Sequence, residues 1–169
     1  LPTTSPDNPG TEGNPYLIST LAHLEGLSTA QGYWASGVHL KLTDDIDASD
    51  TATWNVGDHD NDNDGTTPEV PMGFSPIGNA SVGFAATFDG LGYVISNLTI
   101  NRPANDNIGL FGYISGADIT DLGVANASIT GDDYVGGLVG IATSSTITAS
   151  YATGAVTGSQ RVGGLVGYA

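Results

Sequence analysis

The segment spanning residues 56–72 carries a dense series of alternating acidic residues. Asp60, Asp62 and Asp64 alternate along the chain and are followed by Gly65. Alternate carboxylates in a tight turn converge on one point, as at the start of a D-x-D-x-D-G calcium loop, and the glycine permits the sharp turn. Carboxylate oxygens suit Ca²⁺ far better than a transition metal. The spacing therefore predicts a calcium site.

The ligand pattern differs from that of an EF-hand. An EF-hand loop beginning at Asp60 needs a bidentate acid where the sequence has Pro71, so a different geometry must complete the shell. The alternative interpretation is a solvated acidic loop, although carboxylates this dense repel one another without a counter-ion. The predicted calcium ligands are Asp58, Asp60, Asp62, Asp64 and Glu69.

Residues elsewhere in the chain lack the spacing of a catalytic site. His23 and His39 have no serine in a recognisable triad context. Asp44 and Asp45, or Asp89, offer the carboxylates of a sugar-cleaving site, but aspartates are more common as turn formers. We therefore expect a protein that is not an enzyme.

A sequence repeat indicates the secondary structure that must position the acidic segment. The string VGGLVG occurs twice, and Ile108, Val135 and Val162 follow one another at a spacing of 27 residues, as do Ile129 and Val156. Repeats of this length stack because one unit cannot bury its apolar face alone. Two short β-prone segments per repeat, without helical periodicity, predict an all-β protein and specifically a parallel β-helix, a solenoid.

Two further patterns place strands before the repeats. Val38, Leu40 and Leu42 alternate and predict a strand. Two later strand-like runs are separated by a predicted turn at residues 89–90, and the second run places three apolar residues in the interior. These interior residues are Ile95, Leu98 and Ile100.

The N-terminal part predicts an arm followed by a cap. Residues 1–14 are rich in Pro, Thr and Gly and predict an arm or linker, whereas residues 15–169 form one β-helix domain that contains the acidic insertion. Leucines at a spacing of three predict a short helix that starts after Ser19 or Thr20 and ends at Gly26. Such a helix would cover the open end of a stack of strands.

The amino-acid composition limits the kinds of partner that the protein can bind. Three basic residues against 18 acidic ones give a net charge of −15, which repels nucleic acid. No apolar run is long enough to cross a membrane. The chain has no cysteine and does not begin with Met, so we expect a processed form or a piece of a longer protein, and we favour an extracellular surface location.

The strings DIDASDTATWN, FSPIGN, FAATFDGLGYVISNLTI, NIGLFG and VGGLVG together resemble the GLUG-repeat region of secreted bacterial surface proteins. That group includes filamentous-haemagglutinin-like adhesins, and similar repeats occur in non-catalytic parts of immunoglobulin-cleaving peptidases. The resemblance covers most of the chain. It implies a right-handed β-helix that serves as a stalk or display segment, secreted or at the cell surface, and it supplies no catalytic signature.

Three functions remain open at this point. The first is a non-enzymatic extracellular structural and adhesive module, stabilised by Ca²⁺, whose partners are neighbouring domains or other copies. The second is a filament subunit that joins other copies head to tail by strand addition. The third is a β-helix that binds or cleaves polysaccharide, with Tyr33, Trp34 and Trp54 stacking on a cell-surface glycan, although these aromatics suit a core equally well.

The filament interpretation makes the predicted arm essential for assembly. Deleting residues 1–14 should abolish large species in sedimentation velocity, because the arm would supply the strand that pairs with the neighbouring subunit. The intact chain, run in parallel at the same concentration, is the control. Assemblies that persist without the arm would show that it has no role in joining subunits.

Overall fold

Strands dominate the described part of the chain, which comprises residues 10–57 and 70–169 of a computed structural model, and the predicted all-β class is confirmed. The strands are β1 (Tyr16–Ile18), β2 (His39–Leu42), β3 (Ile46–Asp47), β4 (Val56–Gly57), β5 (Val70–Pro71), β6 (Thr87–Asp89), β7 (Val94–Ser96), β8 (Thr99–Asn101), β9 (Phe111–Ser115), β10 (Asp118–Thr120), β11 (Gly123–Thr130), β12 (Asp133–Gly136), β13 (Val139–Thr143), β14 (Thr146–Thr148), β15 (Tyr151–Thr157), β16 (Gln160–Gly163) and β17 (Val166–Tyr168). The helix α1 spans Leu21–Thr29, and short 3-10 helices span Gln31–Trp34 and Ser49–Thr53.

Successive passes of the chain build the same parallel sheets. One sheet has the order β1-β2-β6-β10-β14, a second runs β3-β7-β11-β15 with β8 also paired to β11, and β9-β13-β17 and β12-β16 form two more. The last four strands, here called the terminal pass, pair one to one with the four before them: β14 with β10, β15 with β11, β16 with β12 and β17 with β13. The terminal pass thus adds one strand to each of these four sheets.

The strand register confirms the repeat. Val135 pairs with Val162 and Ile129 with Val156, and Ile108 forms a single parallel bridge with Val135. Other pairs lie one residue further apart in sequence, such as Gly123 with Tyr151, and a bulge between β11 and β15 absorbs the difference. The spacing of 27 residues is therefore the length of chain between stacked positions at these points.

The core is a stack of apolar side chains that runs across the passes. Tyr16, Leu40, Phe88, Ile119 and Ile147 occupy matching positions on the five strands of the first sheet. The three central members are fully buried, whereas Ile147 of the terminal pass and Tyr16 of β1 are half-buried. Burial therefore depends on having a neighbouring pass on both sides.

The helix begins as predicted but ends later. The Thr20 hydroxyl accepts a hydrogen bond from the His23 amide at 3.2 Å, which is an N-cap. The predicted end at Gly26 is wrong, because Ala30 N–H donates to the Gly26 carbonyl and the helix continues to Thr29. Burial of Leu27 outweighs the modest cost of a mid-helix glycine. Within the described residues, no helix is long and apolar enough to span a bilayer.

The remaining strand predictions are largely confirmed. Leu40 and Leu42 are fully buried on β2, and Val38 lies just before that strand and packs against the core. The turn predicted at residues 89–90 lies slightly later, because Asp89 ends β6 and Tyr93 N–H donates to the Gly90 carbonyl across residues 91–92. The three predicted interior residues after it have no exposed surface. The second predicted run is divided into β7 and β8 because Asn97 between them adopts a left-handed conformation with φ of 58°.

The stacked core predicts a large loss of stability when a side chain at its centre is shortened. Replacing the fully buried Phe88 by alanine removes its contacts with both neighbouring strands, so the free energy of unfolding should fall by about 3–5 kcal/mol. Urea denaturation followed by circular dichroism measures the change. Val82→Ala, at a residue 39% exposed, is the control and should shift the midpoint little; equal losses in the two variants would contradict a stacked core.

Candidate functional site

The predicted calcium ligands Asp58, Asp60, Asp62, Asp64 and Glu69 lie outside the described residues. The structure does define the stem on which residues 58–69 stand. The flanking strands β4 and β5 pair antiparallel, with Val56 opposite Pro71 and Gly57 opposite Val70. The two ends of the acidic segment are thereby brought together at one place on the fold.

Hydrogen bonds attach this stem to the parallel sheets. The Asn55 side-chain amide donates to the Gly73 carbonyl at 2.6 Å, and Gly73 N–H donates to the Trp54 carbonyl at 3.1 Å. Phe74 N–H then donates to the carbonyl of Thr99, the first residue of β8. The stem is consequently attached to the parallel sheets at a defined position.

Two of the four aspartates at residues 44–50, Asp45 and Asp47, have structural uses. Asp45 accepts a hydrogen bond from the backbone amide of Val94 at 2.8 Å. Asp47 accepts bonds from the Asn97 side chain and the Ser49 amide, and these bonds, led by that from Asn97, lower the pKa of Asp47. Among the described residues, no group of three His, Cys, Asp or Glu side chains could hold a metal ion.

A polar groove crosses the outer face of the first sheet. Lys41 Nζ lies 3.7 Å from an Asp89 carboxylate oxygen, and the other Asp89 oxygen accepts a bond from Leu91 N–H in the turn. The Asp89 carboxylate is therefore engaged in an ion pair and in a turn, as expected for an aspartate followed by glycine. The groove has a volume of about 310 Å³ and is lined by Glu12, His39, Leu40, Lys41, Thr87, Asp89, Asp118 and Thr120.

A second cavity, of about 180 Å³, contains a partly buried arginine. Arg102 Nε donates to the Phe74 carbonyl at 3.3 Å, and Nη2 donates to the Ser75 hydroxyl at 3.0 Å. Burial lowers the pKa of Arg102. The opposite wall includes Asn107, whose buried side-chain oxygen has no hydrogen-bond partner in the structure. Sequence reasoning treated Arg102 only as one of three cations and missed its role as an anchor between two loops.

The histidines do not form a triad in the described structure. His23 Nδ1 lies 3.3 Å from both the Ser19 hydroxyl and the Ser19 amide, which closes the start of α1. Burial is the main cause that lowers the pKa of His23. This contact was not predicted from the sequence, although a polar side chain at the third helical position often reaches back to the start of its helix. Trp34 is a core residue, 3% exposed, whose indole N–H donates to the Leu27 carbonyl.

Comparisons with known proteins found one matching sequence motif and two similar proteins. The GLUG motif matches residues 131–157, which include β12, β13, β14 and β15. The chain is 37% identical over 155 residues to Halomucin of Haloquadratum walsbyi, covering 83% of this chain and 2% of that protein. It is 37% identical over 123 residues to a protein of Evansella cellulosilytica described as a Gly-rich membrane protein, covering 73% of this chain and 12% of that protein. No solved structure matches the chain significantly.

The hydrogen bonds of Arg102 predict that replacing it by methionine costs more stability than the same replacement at Arg161. Arg102→Met leaves the Phe74 carbonyl and the Ser75 hydroxyl without their donor, so it should destabilise the fold by about 1–3 kcal/mol. Arg161→Met, at an exposed residue stacked on Tyr134 at 4.8 Å, should cost about 1 kcal/mol or less. Thermal denaturation of both variants measures the difference, and a larger loss at Arg161 would contradict this assignment.

Proposed function

We propose that this chain is a non-enzymatic structural and adhesive module of an extracellular surface protein, folded as a right-handed parallel β-helix and stabilised by Ca²⁺. The observation that carries the proposal is the one-to-one parallel pairing of the four terminal strands with the four before them. A fold built in this way extends along one axis by adding passes, which suits a stalk or a display segment.

Two arguments support the helical winding and its hand. Four sheets that each gain one strand in the terminal pass require the chain to return to the same side after about one repeat, and winding around a common core satisfies this. Connections between parallel strands of one sheet are right-handed in about 98% of cases, because a twisted strand returns to its sheet most easily in that sense. The helix α1, which buries Leu24 and Leu27 in the same core, then serves as a cap at the first pass.

The relatives support an extracellular location. The GLUG motif matches one repeat, and the two relatives are named as a halomucin and as a membrane protein. The chain covers only a small part of each, so the module would be one segment of a larger surface protein. Adhesion is proposed because a rigid stack with a polar outer groove can hold contact groups at a fixed distance from its attachment point.

The stem formed by β4 and β5 supports the calcium part of the proposal. It holds both ends of residues 58–69 together, which shortens the loop that a metal ion must order. Five acidic residues fall within that segment, and the chain already has a net charge of −15. A divalent cation would offset repulsion among these carboxylates and link the segment to the stack. An affinity of about 0.1–1 mM is typical of extracellular calcium modules.

Calcium should raise the thermal stability of the protein. Chelation should lower Tm, and Asp60→Asn, Asp62→Asn and Asp64→Asn introduced together should abolish the difference between the chelated and calcium-loaded samples, because the proposed ligands are then neutral. Differential scanning calorimetry with and without 5 mM CaCl₂, roughly five times the weakest expected Kd, measures the effect.

A second triple variant separates specific binding from charge screening. Asp50→Asn, Asp118→Asn and Asp121→Asn also remove three negative charges, but at positions outside the acidic segment. This control should keep the full calcium response. If the control loses the response as the ligand variant does, screening accounts for it; if the intact chain shows no response and binds no calcium by isothermal titration, the calcium part is wrong.

A further inference from the structure

We propose that the cavity around Arg102 binds the carboxylate group of a small ligand, and that its lining favours the acidic sugar of a glycan as the source of that carboxylate. The inference rests on the proposed adhesive function and gives it a ligand class. The cavity has a volume of about 180 Å³ and lies between the loop from β5 to β6 and the loop from β8 to β9. The reasons are an arginine without a counter-charge, the charge and polarity of the lining, and the fixed position of the walls.

Arg102 is the one basic residue that lacks both an acidic and an aromatic partner in the described part of the chain. Lys41 forms an ion pair with Asp89, and Arg161 is stacked on a tyrosine ring. The guanidinium of Arg102 donates only to a neutral carbonyl and a neutral hydroxyl. It is half-buried, and a charge removed from water without a counter-charge is costly. A bound anion would offset this cost.

The guanidinium also retains unused donors. A guanidinium has five N–H groups, and the two side-chain hydrogen bonds of Arg102 use one on Nε and one on Nη2. Nη1 has no hydrogen-bond partner among the described residues. Such a planar set of N–H groups matches the two oxygens of a carboxylate, and these charge-assisted bonds are about twice as strong as neutral ones. Arg102 can therefore bind an anion without giving up its structural contacts.

The charge of the lining favours an anion with one negative charge. Asp106 also lines the cavity, and its Oδ1 accepts a hydrogen bond from the Asp133 amide at 3.2 Å. Its carboxylate, together with the net charge of −15, repels a doubly charged phosphate more strongly than a singly charged group. A carboxylate is the singly charged group that also fits the planar guanidinium.

Neutral groups complete the lining in a way that suits a sugar. The Asn79 side-chain oxygen accepts bonds from two backbone amides of its own turn, which leaves its Nδ2 as a donor. The Asn105 side chain has no hydrogen-bond partner among the described residues. Pro76 and Ile108 add apolar surface. Small-ligand sites combine apolar walls with a few placed polar groups, and a sugar ring presents both hydroxyl and C–H groups to them.

The stack holds the walls of the cavity in place. On one wall, the fully buried Ile77 donates its amide to the Leu110 carbonyl at 2.9 Å. The adjacent Gly78 has a φ of 75°, and a Cβ there would overlap the Tyr113 carbonyl. On the other wall, the Ile108 amide donates to a carbonyl of β12 at 3.1 Å. A site held in this way loses little conformational entropy on binding.

Titration of the intact chain with sodium glucuronate tests this inference, with amide chemical shifts in NMR spectra as the readout. Glucuronate and glucose share a ring and differ in the carboxylate, so glucuronate should bind roughly tenfold more tightly or better. The shifts should cluster at residues 75–79 and 102–108. A chelator is present so that Ca²⁺ does not bridge glucuronate to acidic side chains. No binding, or equal binding of glucose, would overturn the proposal, whereas equal binding of acetate would overturn only the sugar as its source.

Four variants examine the role of the lining. Arg102→Lys keeps the positive charge but loses the planar set of donors, so it should weaken binding by roughly tenfold. Asn105→Ala should weaken binding without lowering Tm. Asp106→Asn keeps an oxygen for the Asp133 amide and removes repulsion, so it should tighten binding by roughly threefold, a gain that a purely structural role would not produce. Lys41→Arg exchanges basic residues outside the cavity and should leave binding unchanged; a loss there would contradict the site.

Further outcomes separate this inference from the proposed function. Failure to bind glucuronate with a normal calcium response in calorimetry would overturn only the ligand. Binding in solution without attachment of the chain to a glucuronate-coated surface would retain the cavity and overturn the adhesive role. Binding that appears only when residues 58–69 are replaced by a Gly-Ser linker would mean that the chain's own acidic segment is the occupant, and would overturn an external ligand.

Discussion

Stacking of one pass on the next is the constraint on which the rest of this structure depends. Each pass is too thin to bury its own apolar residues, and it has strand edges on both sides. Parallel pairing solves both problems at once, because the same register that satisfies the backbone also places Leu40, Phe88 and Ile119 directly over one another. A change in the length of one pass must therefore be absorbed locally, as the bulge between β11 and β15 does.

The sequence predicted the repeated strands and the start of α1, but it did not predict the left-handed backbone positions or the long-range anchors. Valines and glycines at regular intervals revealed which positions pair, since a stacked register leaves the same residue types at a fixed spacing. The positions where the backbone is left-handed could not be recognised from residue types in the same way. Asn107, Tyr134 and Arg161 follow one another at this spacing and all adopt a positive φ, although only Asn commonly does so. Packing of Arg161 over the Tyr134 ring accompanies this conformation, and no local pattern announces it.

The candidate sites show the same limit of prediction. Alternating aspartates were recognisable because the ligands of a calcium loop are close in sequence. The anchor at Arg102 was not, because its acceptors, Phe74 and Ser75, are 28 and 27 residues away. The stem that carries the acidic segment also depends on residues on both sides of a long gap. Contacts of this range follow from the stacked fold and become predictable only once the number of residues in each pass is known.

The antiparallel pairing of β4 with β5 has a consequence for how such a module can change over time. Because Val56 pairs with Pro71 and Gly57 with Val70, the two ends of residues 58–69 lie next to each other. The pairing of the parallel sheets therefore depends on where these two ends lie and not on the residues between them. A segment of another length or composition that meets the same stem can replace residues 58–69 without altering any pass, so the stack is a constant frame for a variable insertion.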